Sequence, residues 1–448
     1  MGRQMKLGLS MVQNGTHLAA WRHPGSPLGG ALDFKLWKRM AQAAEAAKIH
    51  FMFWADGAAV RINAKSDDDL SYNGRIEQFE PTTLMAAISA VTERIGLIAT
   101  ASTTYNEPYT VARKFASLDY LSEGRVGWNV VTSWSEQEAV NFNRDKHLDH
   151  SVRYRRAEEF FDVVLGLWDS WEDDAFLRDR EGGRYFDPAK MHVLAHKGEH
   201  FSVRGPLNIA RPVQGYPVIA QAGSSEPGQD LAARTADLVY TAQQNLAEAQ
   251  AFYASVKGRL AAYGRSPDDM LVMPGAMIVV GETDEAARDK LAELEALIHP
   301  KIGMGILERT VGDLSAYPVD GPVPDLTGDG PVKSISGKTL RLAREQGLTI
   351  RQLYTRLSGG SGHYQIVGSA KTIVDEMEAW FLGGGCDGFN MMLPYYPDGL
   401  EDVLRLVVPE LQRRGLFRTE YEGRTLRENL GLRRPAHHTG VPRSTRAG

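Results

Sequence analysis

The feature that most constrains this chain is an alternation. Short β-rich apolar runs recur at 7–12, 50–55, 96–102, 126–132, 217–222, 238–242, 271–280 and 387–393. They are apolar on both sides, so a sheet built from them has both faces covered. Helix-length segments lie between them: 33–49, 80–95 with Pro81 in its first turn, 109–122 closed by Gly124, 151–171 with Ser151 as cap, 228–236, 246–263, 283–298 and 369–382. A last helix is expected at 400–415. Strand and helix repeated eight times is the pattern of parallel βα units, and eight such units close into a (β/α)8 TIM barrel of the α/β class.

A barrel of this kind needs roughly 250 residues, and the chain has 448. The surplus falls in two insertions. Residues 173–216 carry an alternation around 192–203 that predicts a hairpin. Residues 300–360 are rich in Gly, Pro and Asp, with one helical piece near 336–346, and predict a long lid segment over the barrel. From Arg418 onward there are seven Arg and three Glu. The expected organisation is one barrel domain over 5–425 and a C-terminal tail over 426–448 that wraps the barrel or a partner subunit.

Charge and cysteine content exclude other classes. With 51 Lys+Arg against 56 Asp+Glu, a net charge of −5 repels phosphate backbones and anionic lipid, so neither nucleic acid nor membrane is an expected partner. A single cysteine, Cys386, leaves no internal disulfide and no cysteine metal site, which fits a reducing, cytoplasmic setting. No run of about 18 apolar residues occurs, and no leader segment is read at the N-terminus.

Three motif matches fail on context. Gly383-Gly384-Gly385-Cys386-Asp387-Gly388 has the dinucleotide spacing, but it follows a helix and precedes a strand, the reverse of what phosphate binding at a helix start requires. Gly337-Lys338-Thr339 lacks the first glycine of a P-loop. His196-Lys197-Gly198-Glu199-His200 matches a zinc-protease pattern, yet Lys-Gly between alternating apolar residues reads as a hairpin turn. The histidines show no metal-ligand spacing, and no protein-held metal is expected.

Chemistry on this fold sits at the C-terminal ends of the strands. Those ends are polar here: Phe53-Trp54-Ala55-Asp56-Gly57, Ala101-Ser102-Thr103-Thr104, Asn129-Val130-Val131-Thr132-Ser133 and Gly223-Ser224-Ser225-Glu226-Pro227-Gly228. The last is either an anion-holding helix start or a capped turn. Hydroxyls and amides without paired carboxylates resemble a cofactor-holding site more than a hydrolytic one. Phe53, Trp54, Tyr72, Trp134 and Tyr395 offer aromatic surface, as pocket wall or as packing.

On these residues the chain resembles the bacterial-luciferase-like flavin monooxygenases, within them the nitrilotriacetate and dibenzothiophene-sulfone monooxygenase group. The resemblance rests on Phe53-Trp54-Ala55-Asp56, Trp128-Asn129-Val130-Val131-Thr132-Ser133, His150 with Arg153-Tyr154, Ala220-Gln221-Ala222-Gly223-Ser224-Ser225 and Pro409-Glu410-Leu411-Gln412-Arg413-Arg414-Gly415. It implies a two-component enzyme that takes reduced FMN from a separate NAD(P)H-dependent flavin reductase. With O2 that enzyme oxygenates a small organic substrate, sulfur- or nitrogen-containing, and a homodimer or homotetramer is expected.

Carried over, the resemblance places Asp56 and Ser102 beside the flavin ring system, and His150 and Tyr154 near its ribityl or phosphate side. Ser224 and Ser225 would hold the phosphate, and Asn129 and Thr132 would line the pocket where O2 meets the flavin. Asp56 could equally cap its own turn. His17, after the first strand, is a possible acid–base or substrate contact, and His363 at the lid's far edge could enter on closure. Gly303–Gly305 and 358–362 read as hinges. Three alternatives remain: a deazaflavin-dependent barrel oxidoreductase, a barrel hydrolase using Glu136 or Glu226, and a flavin-binding protein without turnover.

Overall fold

The computed structural model describes residues 3–60, 66–133, 135–324, 340 and 343–438. Its strands are β1 (Lys6–Met11), β2 (Phe51–Trp54), β3 (Gly96–Ser102), β4 (Val126–Val131), β5 (His196–Lys197), β6 (Ser202–Val203), β7 (Val218–Gln221), β8 (Leu238–Thr241), β9 (Leu271–Gly281), β10 (Tyr364–Ser369) and β11 (Gly388–Met392). Eight of these, β1-β2-β3-β4-β7-β8-β9-β11, form a parallel ring in which β11 returns to β1. The eight expected runs are these eight strands, and the TIM-barrel reading holds.

Alternate residues sort into two cores. Leu7, Leu9, Met52, Leu97, Trp128, Ile219 and Met391 belong to the large cluster under the helices. Phe51, Phe53, Ile98, Val218, Ala220, Leu238 and Met273 form a separate cluster inside the ring. Leu426, Leu430 and Leu432 join the inner cluster. The segment set apart as a tail therefore begins with a buried helix, Leu426–Leu430, capped by Thr425 and Glu428 in a reciprocal box. Arg427 from that helix donates to both carboxylate oxygens of Asp237 at 3.0 and 2.6 Å.

The helices start where local chemistry allows. Asp33 caps Phe34–Ala46, Glu80 caps Pro81–Ser89, Thr283 caps Asp284–Ala296 and Ser369 caps Ala370–Leu382, each accepting backbone N–H groups of the first turn. The helix expected at 151–171 runs His150–Trp168, and its N-cap is Asp149 without a side-chain cap, not Ser151.

The insertions differ from expectation in detail. In the first, β5 and β6 form the antiparallel hairpin, and Glu159 accepts from His196 Nε2 at 2.8 Å and from the N–H groups of His200 and Phe201. In the second, two helices stand where loop was expected, Pro300–Thr310 and Ile350–Ser358. The helical piece expected at 336–346 lies mostly outside the described residues, as do Gly337-Lys338-Thr339 and Trp134. The lid has its own small core of Ile298, Leu307, Leu314, Ile350, Leu353 and Tyr354, seated on Ala19 after β1.

Gly303 and Gly305, expected as hinges, lie inside the helix Pro300–Thr310. A Cβ on Gly303 would meet the Tyr354 ring at 2.5 Å. Glycine there permits two helices to approach closely; it is not a pivot. By contrast Gly360 and Gly362, with φ of 62° and 87°, do turn the chain at the lid's exit. The strand β10 was not foreseen; it pairs in parallel with Ala276–Gly281 of β9, of which Ala276 and Met277 also pair with β11.

Candidate active site

Inside the ring the character changes from bottom to top. Above the apolar layer, Thr100, Asn129, Tyr240 and Asn390 bring polar groups toward the C-terminal strand ends. Thr100 Oγ1 donates to the Trp54 carbonyl at 2.8 Å and accepts from Asn129 Nδ2 at 2.8 Å. This relay fixes the Asn129 amide and leaves its Oδ1 buried without a protein partner. Asn390, fully buried, has neither amide atom satisfied. Unpaired buried polar atoms are costly, so a cluster of them at the mouth of a barrel marks a place built for a polar guest.

Tyr240 and His363 close one side of that mouth. Tyr240 Oη lies 3.1 Å from His363 Nε2 and their rings stack at 5.1 Å. Burial pushes the phenol pKa up and the imidazole pKa down, so both are neutral near pH 7. His363 thus already stands in the mouth in this conformation. Tyr240 and Asn390 were missed from the sequence, because each sits in an apolar run and shows its role only once the ring closes. Asn390 between Phe389 and Met391 was the available signal.

At the end of β4 the backbone is held in an unusual state. Ser133 has φ of 56°, its Oγ shares a 2.9 Å hydrogen bond with Ser102 Oγ, and its carbonyl accepts from Arg153 Nη1. Ser102 Oγ also accepts from Thr104 N at 3.1 Å. Strain of this sort persists where surrounding contacts over-determine it, as they do here. Thr132 is half-buried in the same turn, and its carbonyl accepts from Thr104 Oγ1 at 2.6 Å.

The next strand ends in the Ser-rich turn. Ser225 is the N-cap of Glu226–Thr235, accepting from Gly228 N, and Tyr154 Oη stands 3.5 Å from Ser225 Oγ. His150 and Tyr154 are ring neighbours at 4.7 Å, one helical turn apart. Ser224, Ser225 and His150 are exposed. The structure thus brings Tyr154, His150 and Ser225 to one rim, with Ser102 and Asn129 on the neighbouring strands.

On the other side of the mouth, at the ends of β1 and β2, lies a cleft of about 870 Å3 lined by Val12, Gln13 and the stretch 55–60. Its far wall is the lid helix Pro300–Thr310. That size suits a small organic ligand. Asp56 lines it and accepts from Gln78 Nε2 at 2.8 Å. The lining carries Asp56, Asp69, Glu77, Glu308 and Asp313 against Arg75 and Lys301, and Lys301 is paired with Asp68 and Asp69.

His17 is not among the lining residues. It is buried, its Nδ1 accepts from Ala19 N at 3.2 Å, and burial first, then Arg75, lowers its pKa to about 4. It is a neutral imidazole that shapes the turn after β1. Of the aromatic residues, Tyr72 stacks on His299 at 3.8 Å and Tyr395 on His23 at 3.9 Å, while Phe53 and Trp54 are buried. Glu136 and Glu226 are exposed; Glu136 accepts from His147 N at 2.9 Å, and Glu226 pairs with Arg259 at 3.7 Å.

A parallel barrel with a polar mouth, a Ser-capped helix start beside it and a lidded cleft defines a cofactor-using α/β-barrel enzyme. The chain belongs to the luciferase-like monooxygenase family, whose sequence model matches residues 14–385. It is similar to N-acetyl-S-(2-succino)cysteine monooxygenase of Bacillus subtilis (strain 168), 48% identical over 97% of this chain and 98% of the relative. It is similar also to nitrilotriacetate monooxygenase component A of Aminobacter aminovorans, 49% identical over 98% of this chain and 99% of the relative. Among solved structures, a riboflavin lyase with modified FMN and riboflavin superposes with a TM-score of 0.83 at 30% identity, over 96% of each chain. The protein is a flavin-dependent monooxygenase, of the group its motifs resemble. Among the described residues no helix is long and apolar enough to cross a membrane.

Proposed function

We propose that this chain is the oxygenase component of a two-component system, taking reduced FMN from a separate NAD(P)H-dependent reductase and O2 to oxygenate a small sulfur- or nitrogen-containing molecule. The observation that carries the reading is the set of buried, unsatisfied amide atoms at the mouth, Asn129 Oδ1 and the Asn390 amide, flanked by a Ser-capped helix start and a lidded cleft. The residues present fit FMN. Ser225, with Ser224 and Tyr154, offers hydroxyls at the N-terminal end of Glu226–Thr235, where helix polarity favours a phosphate. His150 lies beside Tyr154, and Asp56, Ser102, Asn129 and Thr132 suit the ring system and its O2-facing side.

When bound, reduced FMN supplies the electrons and the activation of O2. The chain binds, orients and excludes water. Asn129, held by Thr100, presents a fixed acceptor; Tyr240 and His363 present neutral groups that can donate or accept a proton at Oη and Nδ1. The lid helix Pro300–Thr310 roofs the cleft and keeps water from the reacting centre. His17 acts by holding the β1 turn. The five carboxylates and two cations of the lining favour a substrate of low net charge over a free polyanion. That the nitrilotriacetate relative is named a component A supports the need for a partner reductase.

The test is turnover under 18O2 with a generic flavin reductase, NADH, FMN and a panel of thioethers, sulfones and amines. One labelled oxygen atom in the product is expected. Reductant-dependent turnover without label, or turnover with deazaflavin alone, points instead to hydride transfer; turnover without any reductant points to a hydrolase.

A further inference from the structure

At the end of the barrel opposite the cleft, three side chains from three distant segments converge. Glu172 follows the helix His150–Trp168, His192 lies in the first insertion, and His437 lies near the end of the described chain. One ligand atom from each lies within 4.8 Å of the others, and all three residues are half-buried. His192 Nε2 is 3.0 Å from Glu172 Oε1, and the two imidazole rings are 5.1 Å apart. Their sequence separations hide the cluster from any motif search.

The far nitrogen of His437 adds an independent sign. His437 Nε2 stands 3.0 Å from the Asp169 carbonyl oxygen, which can only accept. The Nε2 therefore carries the proton, and Nδ1 is left with its lone pair, the tautomer and orientation that metal-ligating histidines take from such a carbonyl. The backbones that present the three groups are fixed without any ion. Glu172 N donates to Lys190 O at 3.1 Å and His192 N to Ser170 O at 2.8 Å. Buried Arg211 joins Asp169 to the Pro435 carbonyl at 3.0 Å each, and Arg434 pairs with Asp173 at 2.7 Å.

We propose that Glu172, His192 and His437 form a site for a divalent transition cation of the zinc class. Two imidazoles and a carboxylate suit zinc with a water as fourth ligand. A helix C-terminus on this fold lies at the bottom of the barrel, where side chains stabilise and do not catalyse. The site is therefore a staple: the ion joins the terminal segment to the insertion and to the end of the fourth barrel helix, and its binding adds to folding stability. It stands apart from the flavin reading and survives that reading's failure.

The experiment is titration of chelator-treated protein with Zn2+ by calorimetry, and with Co2+ by its visible absorption. The wild type is expected to take up one ion per chain and to resist proteolysis near residue 437 when loaded. His437→Ala, His192→Ala and Glu172→Gln are each expected to weaken uptake by at least the roughly tenfold to hundredfold that loss of an outer partner costs. His438→Ala is the control and keeps wild-type affinity. His437→Ala decides the matter should the other two unfold, since without metal it loses only one hydrogen bond to the Asp169 carbonyl and its metal-free melting temperature is expected to fall only slightly. No stoichiometric uptake, or equal uptake by wild type and His437→Ala, overturns the proposal.

Discussion

Gly275 on β9 shows how one missing side chain makes room for the polar groups of the mouth. A Cβ there would lie 2.4 Å from His363 Nδ1 and 2.6 Å from Tyr240 Oη, so Gly275→Ala must displace one of them. The expected loss is about 1–3 kcal/mol of stability, the usual cost of overpacking, with a fall in turnover at temperatures where the variant is still folded. Urea denaturation and steady-state rates check the two parts separately. His17 gives a prediction of opposite kind. Its folded pKa is about 4 against an ordinary 6.5, so between those values the unfolded chain holds a proton that the folded chain refuses. Its contribution is fully present above about pH 6.5 and is lost as pH falls toward 4, by roughly 3 kcal/mol. The stability gap between wild type and His17→Gln is expected to shrink by about that amount from pH 7 to pH 4; a pH-independent gap contradicts it. Buried His50 behaves alike in both proteins and cancels.

At the scale of elements, the lid and the terminal helix each depend on close packing at a named residue. Gly303→Ala puts a methyl into the Tyr354 ring and is expected to separate the two lid helices. The readout is a larger share of consumed O2 released as hydrogen peroxide, with little change in global melting. Leu426→Ala opens the bottom of the inner core, where Leu426 is fully buried, and is expected to cost about 2–5 kcal/mol in chemical denaturation. These elements also show where sequence reading stops. The eight barrel strands were legible because each is a mainly apolar run set between helix-length segments. The lid helix Pro300–Thr310 was not, since Gly303 and Gly305 look like loop until Tyr354 is seen against them. β10 escaped because Tyr364-Gln365-Ile366-Val367-Gly368-Ser369 is short and half polar. Leu426–Leu430 was read as tail because five residues carry no helical period.

For the whole molecule, the sequence marked the strand ends as polar, and its motifs led to the family. The rim residues Asn129, Tyr154 and Ser225 stand in those motifs, and Ser102 stands in a polar strand end. Tyr240, Asn390 and the strained Ser133 were not, because only the closed ring turns them toward one another. The most direct test of reduced-flavin binding at this rim is an anaerobic titration of wild type and Ser225→Ala with photoreduced FMN, repeated with oxidised FMN and with a deazaflavin. Saturable binding of reduced FMN is expected, weakened about tenfold by the loss of one hydrogen bond to a charged phosphate, with the oxidised form and the deazaflavin bound less well. Binding of neither redox state of FMN, or an affinity for reduced FMN indifferent to Ser225, contradicts it.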